Sequence, residues 1–144
     1  MTQLNVGLKE NMKFEKIETV VTPEEAIKNL LRRHKQQQEM ARQRAQKAWE
    51  SLPKLVRLLS DNYGAERVIL FGSLAREEFR INSDIDLAVS GMPSEKYFKA
   101  LGHLLMESPY ACDLVAIEDA PDLLKQRIEE DGVILYDRER DRIN

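Results

Sequence analysis

The feature that most constrains this chain is a change of rhythm at Asn62-Tyr63-Gly64. Before it, apolar residues recur at helical spacing. After it come short β-branched or aromatic runs, separated by helical stretches. A chain ordered in this way is neither a helical bundle throughout nor an all-β sandwich. It predicts an N-terminal helical extension over residues 1–62 and an α/β (α+β) core over residues 63–144. In that core a small mixed β-sheet carries flanking helices.

The helical part begins with a clear start signal. Thr22 suits a cap, Pro23 the first helical position, and Glu25 follows three residues after the cap. Ala26, Ile27, Leu30 and Leu31 then keep helical spacing. Residues 32–47 hold six basic residues against the single acid Glu39, a local charge of +5 in a chain whose net charge is -3. Good helix formers fill this window, which predicts one long polar helix. Ser51-Leu52-Pro53 predicts an end or a kink, with a second helix to about Asp61 that turns Leu55, Val56, Leu58 and Leu59 inward. The first 21 residues show no clear period, although Phe14, Ile17, Val20 and Val21 suit packing on the body.

In the core, strands are predicted at Arg67–Phe71, Asp84–Ser90, Tyr110–Ile117 and Gly132–Tyr136. Helices are predicted at 74–79, at Ser94–Met106 with Tyr97, Phe98, Leu101, Leu104 and Leu105 on one spacing, and at Asp122–Glu130. The tail from Asp137 is charged and expected to be exposed. Cys112 is the one cysteine, which excludes an intrachain disulfide and a Cys-based metal site and fits a reducing cytoplasm. No signal peptide is expected from Met1–Glu10, and no apolar run approaches the roughly 18 to 20 residues of a membrane span. The expected location is therefore cytoplasmic, with no membrane partner. The basic window is first a solvated face, and otherwise a docking or homo-oligomerisation surface. It lacks interleaved aromatics for base stacking, so a nucleic-acid partner is not expected. Trp49 reads as a packing residue, Cys112 as a buried strand thiol, and His34 and His103 have no partners at catalytic spacing.

The chemistry concentrates in FGSLAREEFRINSDIDLAV, residues 71–89. On a strand, residues i and i+2 point to one face, so Asp84 and Asp86 project together while Ile85 and Leu87 enter the core. Two carboxylates side by side repel. A divalent cation removes that cost, and Mg²⁺ suits a few carboxylate oxygens completed by water and phosphate oxygens. Upstream, Gly72-Ser73 falls where a strand gives way to a helix, a seat for phosphate. Asp113 stands alone in the apolar run YACDLVAI. On a neighbouring strand it would reach a metal or help deprotonate an attacking hydroxyl. The bland readings are a turn-flanking pair for Asp84 and Asp86, a capping or arginine-paired Asp113, and an ordinary exposed Arg76.

Gly-Ser, ten residues, Asp-x-Asp in an apolar strand and an isolated Asp in the next strand together resemble the nucleotidyltransferase superfamily of DNA polymerase β. The closest likeness is to its minimal nucleotidyltransferase (MNT) branch, over about Arg67 to Tyr136. The resemblance implies a palm-like core in which Gly72 and Ser73 bind a triphosphate. Asp84, Asp86 and Asp113 would hold two divalent ions, Mg²⁺ or alternatively Mn²⁺, and act as the catalytic acids. Ser83 matches the usual Ser-Asp-x-Asp, and Ala75-Arg76 match a Gly-Ser-x-Ala-Arg-Gly pattern that makes Arg76 a candidate phosphate contact. Glu77 departs from that pattern by replacing the last glycine. The implied activity is transfer of AMP from ATP to an acceptor hydroxyl. MNT proteins of this size resemble the MntA-type antitoxin of HEPN–MNT modules, so the implied acceptor is a tyrosine of a HEPN toxin. Two alternatives stay open: an antitoxin that neutralises by binding alone, and a transferase acting on a small molecule such as an aminoglycoside.

Overall fold

The computed structural model describes residues 22–143; the expectation for Phe14, Ile17, Val20 and Val21 lies outside them. The chain divides into two compact units, Met1–Glu39 and Met40–Asn144. The first helix, α1 (Pro23–Arg57), begins in one and ends in the other. At its start the Glu25 N–H donates to Thr22 Oγ1 at 3.3 Å, the capping expected from the sequence. In this first unit, among the described residues, Ile27, Leu30 and Leu31 are all more than half exposed.

Within Met40–Asn144, α1 continues through Pro53, so the helix does not end there, one of the two outcomes expected. Proline in a helix interior costs about 3 kcal/mol through the missing N–H and a clash with the preceding turn. Leu52, Leu55, Leu58 and Leu59 are all buried on the inner side. Each such side chain contributes about 1.5–3 kcal/mol, so together they outweigh the proline. The helix instead loosens at its end into a π-helical turn, Leu58–Asn62, and closes at Tyr63-Gly64. The Gly64 N–H reaches Ser60 O there, with Gly64 at a φ of 74° that suits glycine.

The sheet follows. Its strands are β1 (Arg67–Phe71), β2 (Ile85–Ser90), β3 (Cys112–Ala116) and β4 (Val133–Asp137), in the order β3-β2-β1-β4. β1 pairs antiparallel with β2 and β4, and β2 pairs parallel with β3. The sheet is therefore mixed, as expected. Between the strands lie α2 (Gly72–Ala75), α3 (Tyr97–Glu107, led by a 3₁₀ turn at Ser94–Lys96) and α4 (Asp122–Asp131). α2 is a single turn and begins at Gly72, where a helix over 74–79 was expected. The charged tail is exposed but helical, α5 (Arg138–Ile143), and is tied back by Arg138, whose N–H donates to Glu66 O at 2.8 Å.

β1 and β2 read as near-continuous apolar runs because both faces are covered. Val68, Leu70, Leu87 and Val89 pack with the buried side of α1, while Ile69, Phe71 and Ala88 pack with Ile128 of α4. Among the described residues no helix is long and apolar enough to cross a membrane.

Candidate active site

The end of β1 meets the start of β2 through α2 and the loop after it. Gly72 takes a φ of 74°, a conformation that disfavours any side chain. A Cβ there would overlap Oδ2 of Asp86 and stand 3.0 Å from its Cγ. The missing side chain is what lets the backbone turn lie against the carboxylate. This follows from the ladder, in which Phe71 is paired with Asp86.

Asp86 is in turn paired with Asp113 across the parallel β2–β3 ladder. The two carboxylates therefore lie on adjacent strands at the same level. Asp84 sits one residue before β2 and is exposed. Burial pushes the Asp86 carboxyl up to about 6, and the charges of Asp113 and then Asp84 push the same way, with Arg76 opposing. The sequence placed Asp113 in an apolar strand that would bury it, yet it is exposed because β3 is an edge strand. Cys112 beside it is buried, and its thiol is pushed up to about 12 by burial and by the same three carboxylates.

The other expected residues are placed as follows. Ser73 lies in α2, its carbonyl accepting from the Glu78 N–H at 2.8 Å. One helical turn adds little dipole, so any phosphate seat here rests on backbone N–H groups. Arg76 is exposed and bridges Glu78 and Asp131, each at 3.2 Å. Ser83 closes a turn, its Oγ accepting from the Arg80 N–H at 2.8 Å. Glu77 has a φ of 62°, the left-handed conformation that the glycine of the related pattern would take without strain.

Among the described residues no three His, Cys, Asp or Glu gather tightly enough to cage a metal ion on their own. The donors are nonetheless all hard carboxylate oxygens, and burial followed by repulsion from Asp113 and Asp84 makes the central one, Asp86, a weaker acid. Such a set fits a divalent cation whose shell is completed by water and phosphate oxygens.

One feature of this end of the sheet gave no signal in the sequence. A cavity of about 710 Å³ opens along β3 next to Asp113, between α3 and the start of α4. Tyr97 and Phe98 line it, although helical spacing alone suggested core positions, and Phe98 is 80% exposed. The Tyr97 hydroxyl donates to Leu114 O, and burial followed by the charge of Asp113 raises its phenol above the usual range.

A bare glycine turn against paired acids at one end of a mixed, helix-flanked sheet defines a class, the palm-like domains that transfer nucleotides. Residues 53–141 match the family model described as Polymerase beta, Nucleotidyltransferase, and the chain belongs to that family. It is similar to a chain in the crystal structure of the toxin-antitoxin with AMP-PNP, at 28% identity and a TM-score of 0.55, over 62% of this chain and 75% of that one. It is also similar to a chain in the crystal structure of the toxin-antitoxin MntA-HepT, at 26% identity and a TM-score of 0.51, over 65% and 75% of the two chains. The fold is shared with a chain in the structure of tri-AMPylated Shewanella oneidensis HEPN toxin in complex with MNT antitoxin, at 24% identity and a TM-score of 0.52, over 65% and 76%. No curated protein sequence matches.

Proposed function

We propose that this chain transfers AMP from ATP to an acceptor hydroxyl, and that the acceptor is a tyrosine of a HEPN toxin partner. The observation that carries the reading is the register that sets Asp86 opposite Asp113 with Gly72 against it. The likeness to a toxin-antitoxin structure with AMP-PNP supports both the nucleotide and the kind of partner.

In this reading Gly72 and Ser73 hold the β- and γ-phosphates through backbone N–H groups and the Ser73 hydroxyl. Arg76, already close enough to influence Asp86, adds positive charge beside them. Asp84, Asp86 and Asp113 would hold divalent cations, which when bound neutralise phosphate charge and lower the pKa of the acceptor hydroxyl. Asp113 accepts the hydroxyl proton as the oxygen attacks the α-phosphorus in line. The bond to the β-phosphate oxygen breaks and pyrophosphate leaves on the Gly72 side. Ser83 acts at one remove by fixing the turn that delivers Asp84.

The test is to mix the full chain with ATP, Mg²⁺ and the product of its neighbouring gene, and to measure intact masses. AMP increments on the partner are expected, and none with Asp84→Asn/Asp86→Asn. A stable complex without increments would instead make neutralisation by binding alone the working principle.

A further inference from the structure

We propose that the cavity beyond Asp113 is the acceptor site, and that it selects an aromatic hydroxyl on a protein segment flanked by Lys or Arg. This rests on the transfer reading above and adds where the acceptor enters and what recognises it.

The order of the sheet gives the site a direction. Gly72 follows β1, Asp86 lies on the adjacent β2, Asp113 on β3 at the edge, and the cavity comes next. In-line displacement puts the attacking oxygen and the leaving group on opposite sides of phosphorus. With pyrophosphate on the Gly72 side, the acceptor approaches from the Asp113 side, where the cavity opens. Its volume of about 710 Å³ falls within the roughly 300–1,000 Å³ of ligand pockets, enough for a ring and the residues beside it.

The lining says what enters. Tyr97, Phe98 and Leu124 form an apolar, partly aromatic wall, and an incoming ring gains by packing against exposed Phe98. Asp113, Glu118 and Asp119 also line the cavity, and among the described residues no Lys or Arg does. Glu118 is held by the Gly91 N–H at 3.2 Å, whereas Asp119 is exposed. Even with Asp113 engaged by a cation, Glu118 and Asp119 leave the lining negative, which attracts a cationic segment and repels the phosphates of a nucleic acid. Neither Asp119 nor Phe98 belongs to the nucleotide side, so both can be changed without touching it.

The experiment measures binding before chemistry. A fluorescein-labelled peptide with one tyrosine between arginines and lysines is titrated with the full chain without nucleotide, and its anisotropy is followed. The same peptide with glutamate flanks is the control. The basic peptide is expected to bind the wild type, with Asp119→Lys weakening it about tenfold, the size of one rim attraction turned to repulsion. Phe98→Ala weakens both peptides, and Asp119→Asn, which keeps the shape, gives an intermediate loss if Asp119→Lys does not fold. AMP-PNP affinity in Mg²⁺ stays at the wild-type value in all three. Equal binding of both peptides, or loss of AMP-PNP affinity in Phe98→Ala, overturns the assignment; the second result would make the cavity the pocket of the nucleotide base. Peptide binding as expected, with no AMP transfer to any partner, would overturn the transfer reading and leave the cavity assignment standing.

Discussion

The backbone of Gly72 and the carboxylate of Asp86 fit together with no room for a side chain between them: a Cβ on Gly72 would stand 2.1 Å from Oδ2. Gly72→Ala therefore meets two penalties, the steric overlap and a φ of 74° that alanine adopts poorly. The backbone strain alone costs about 1–3 kcal/mol. Relief by displacing the Asp86 carboxylate would misplace a proposed metal-binding group by about an ångström, which costs about 10²-fold in rate. Urea unfolding and the intact-mass transfer assay should both register the change. A variant with wild-type turnover would remove Gly72 from the site.

Asp86 also predicts how stability varies with pH. Its carboxyl titrates at about 6 rather than the ordinary 3.8, so between those values the folded chain holds a proton that the unfolded chain has released. Proton binding is then greater in the native state, and stability falls as pH rises through this window, levelling above it. Asp86→Asn should abolish that slope in the metal-free protein. At pH 7.5 it should raise stability by about 1 kcal/mol, a figure discounted because the group is only half-buried. Adding Mg²⁺ should raise the wild-type Tm at pH 7.5 and leave that of Asp86→Asn nearly unchanged. A metal-free wild type whose Tm stays flat from pH 4 to 6 would remove the raised Asp86 carboxyl.

At Glu77 a non-glycine residue occupies left-handed backbone, with a φ of 62°. The exposed side chain makes no hydrogen bond that would offset the strain among the described residues. The left-handed region costs an L-residue roughly 1–2 kcal/mol, part of which glycine returns as greater freedom in the unfolded chain. Glu77→Gly should therefore stabilise the protein by about 0.5–1 kcal/mol in urea unfolding. Glu77→Ala, which keeps the Cβ, should not. Equal effects of the two would point to the glutamate charge rather than to the backbone.

The sequence carried the local part of this geometry well and the lateral part poorly. Alternation in Asp84–Val89 and the isolated Asp113 gave the strands and the acids, because a period of two is a local property. That Asp86 faces Asp113 depends on the parallel pairing of β2 with β3, which no local pattern encodes. The same holds for the exposure of Asp113, since an edge strand and a central one look alike in an apolar run. Tyr97 and Phe98 followed core spacing, yet Phe98 faces a cavity whose other wall comes from β3 and α4. The helix end allowed at Pro53 misled in the opposite direction, because the local penalty was read without the burial gained on the other side of the helix.

That burial sets the last prediction. Leu55 is wholly buried two residues after Pro53, in the cluster that also holds Leu59, Val68, Leu70 and Leu104. The second half of α1 thus forms one wall of the sheet's own core, in line with the inward Leu55, Leu58 and Leu59 expected from the sequence. Leu55→Ala removes atoms from a fully packed site and should cost about 2–5 kcal/mol. Leu31→Ala, at a residue 62% exposed on the same helix, should cost less than about 0.5 kcal/mol. Urea unfolding of the two single variants checks the contrast. If Leu55→Ala were as mild as Leu31→Ala, the helix after Met40 would be an appendage and the sheet would fold without it.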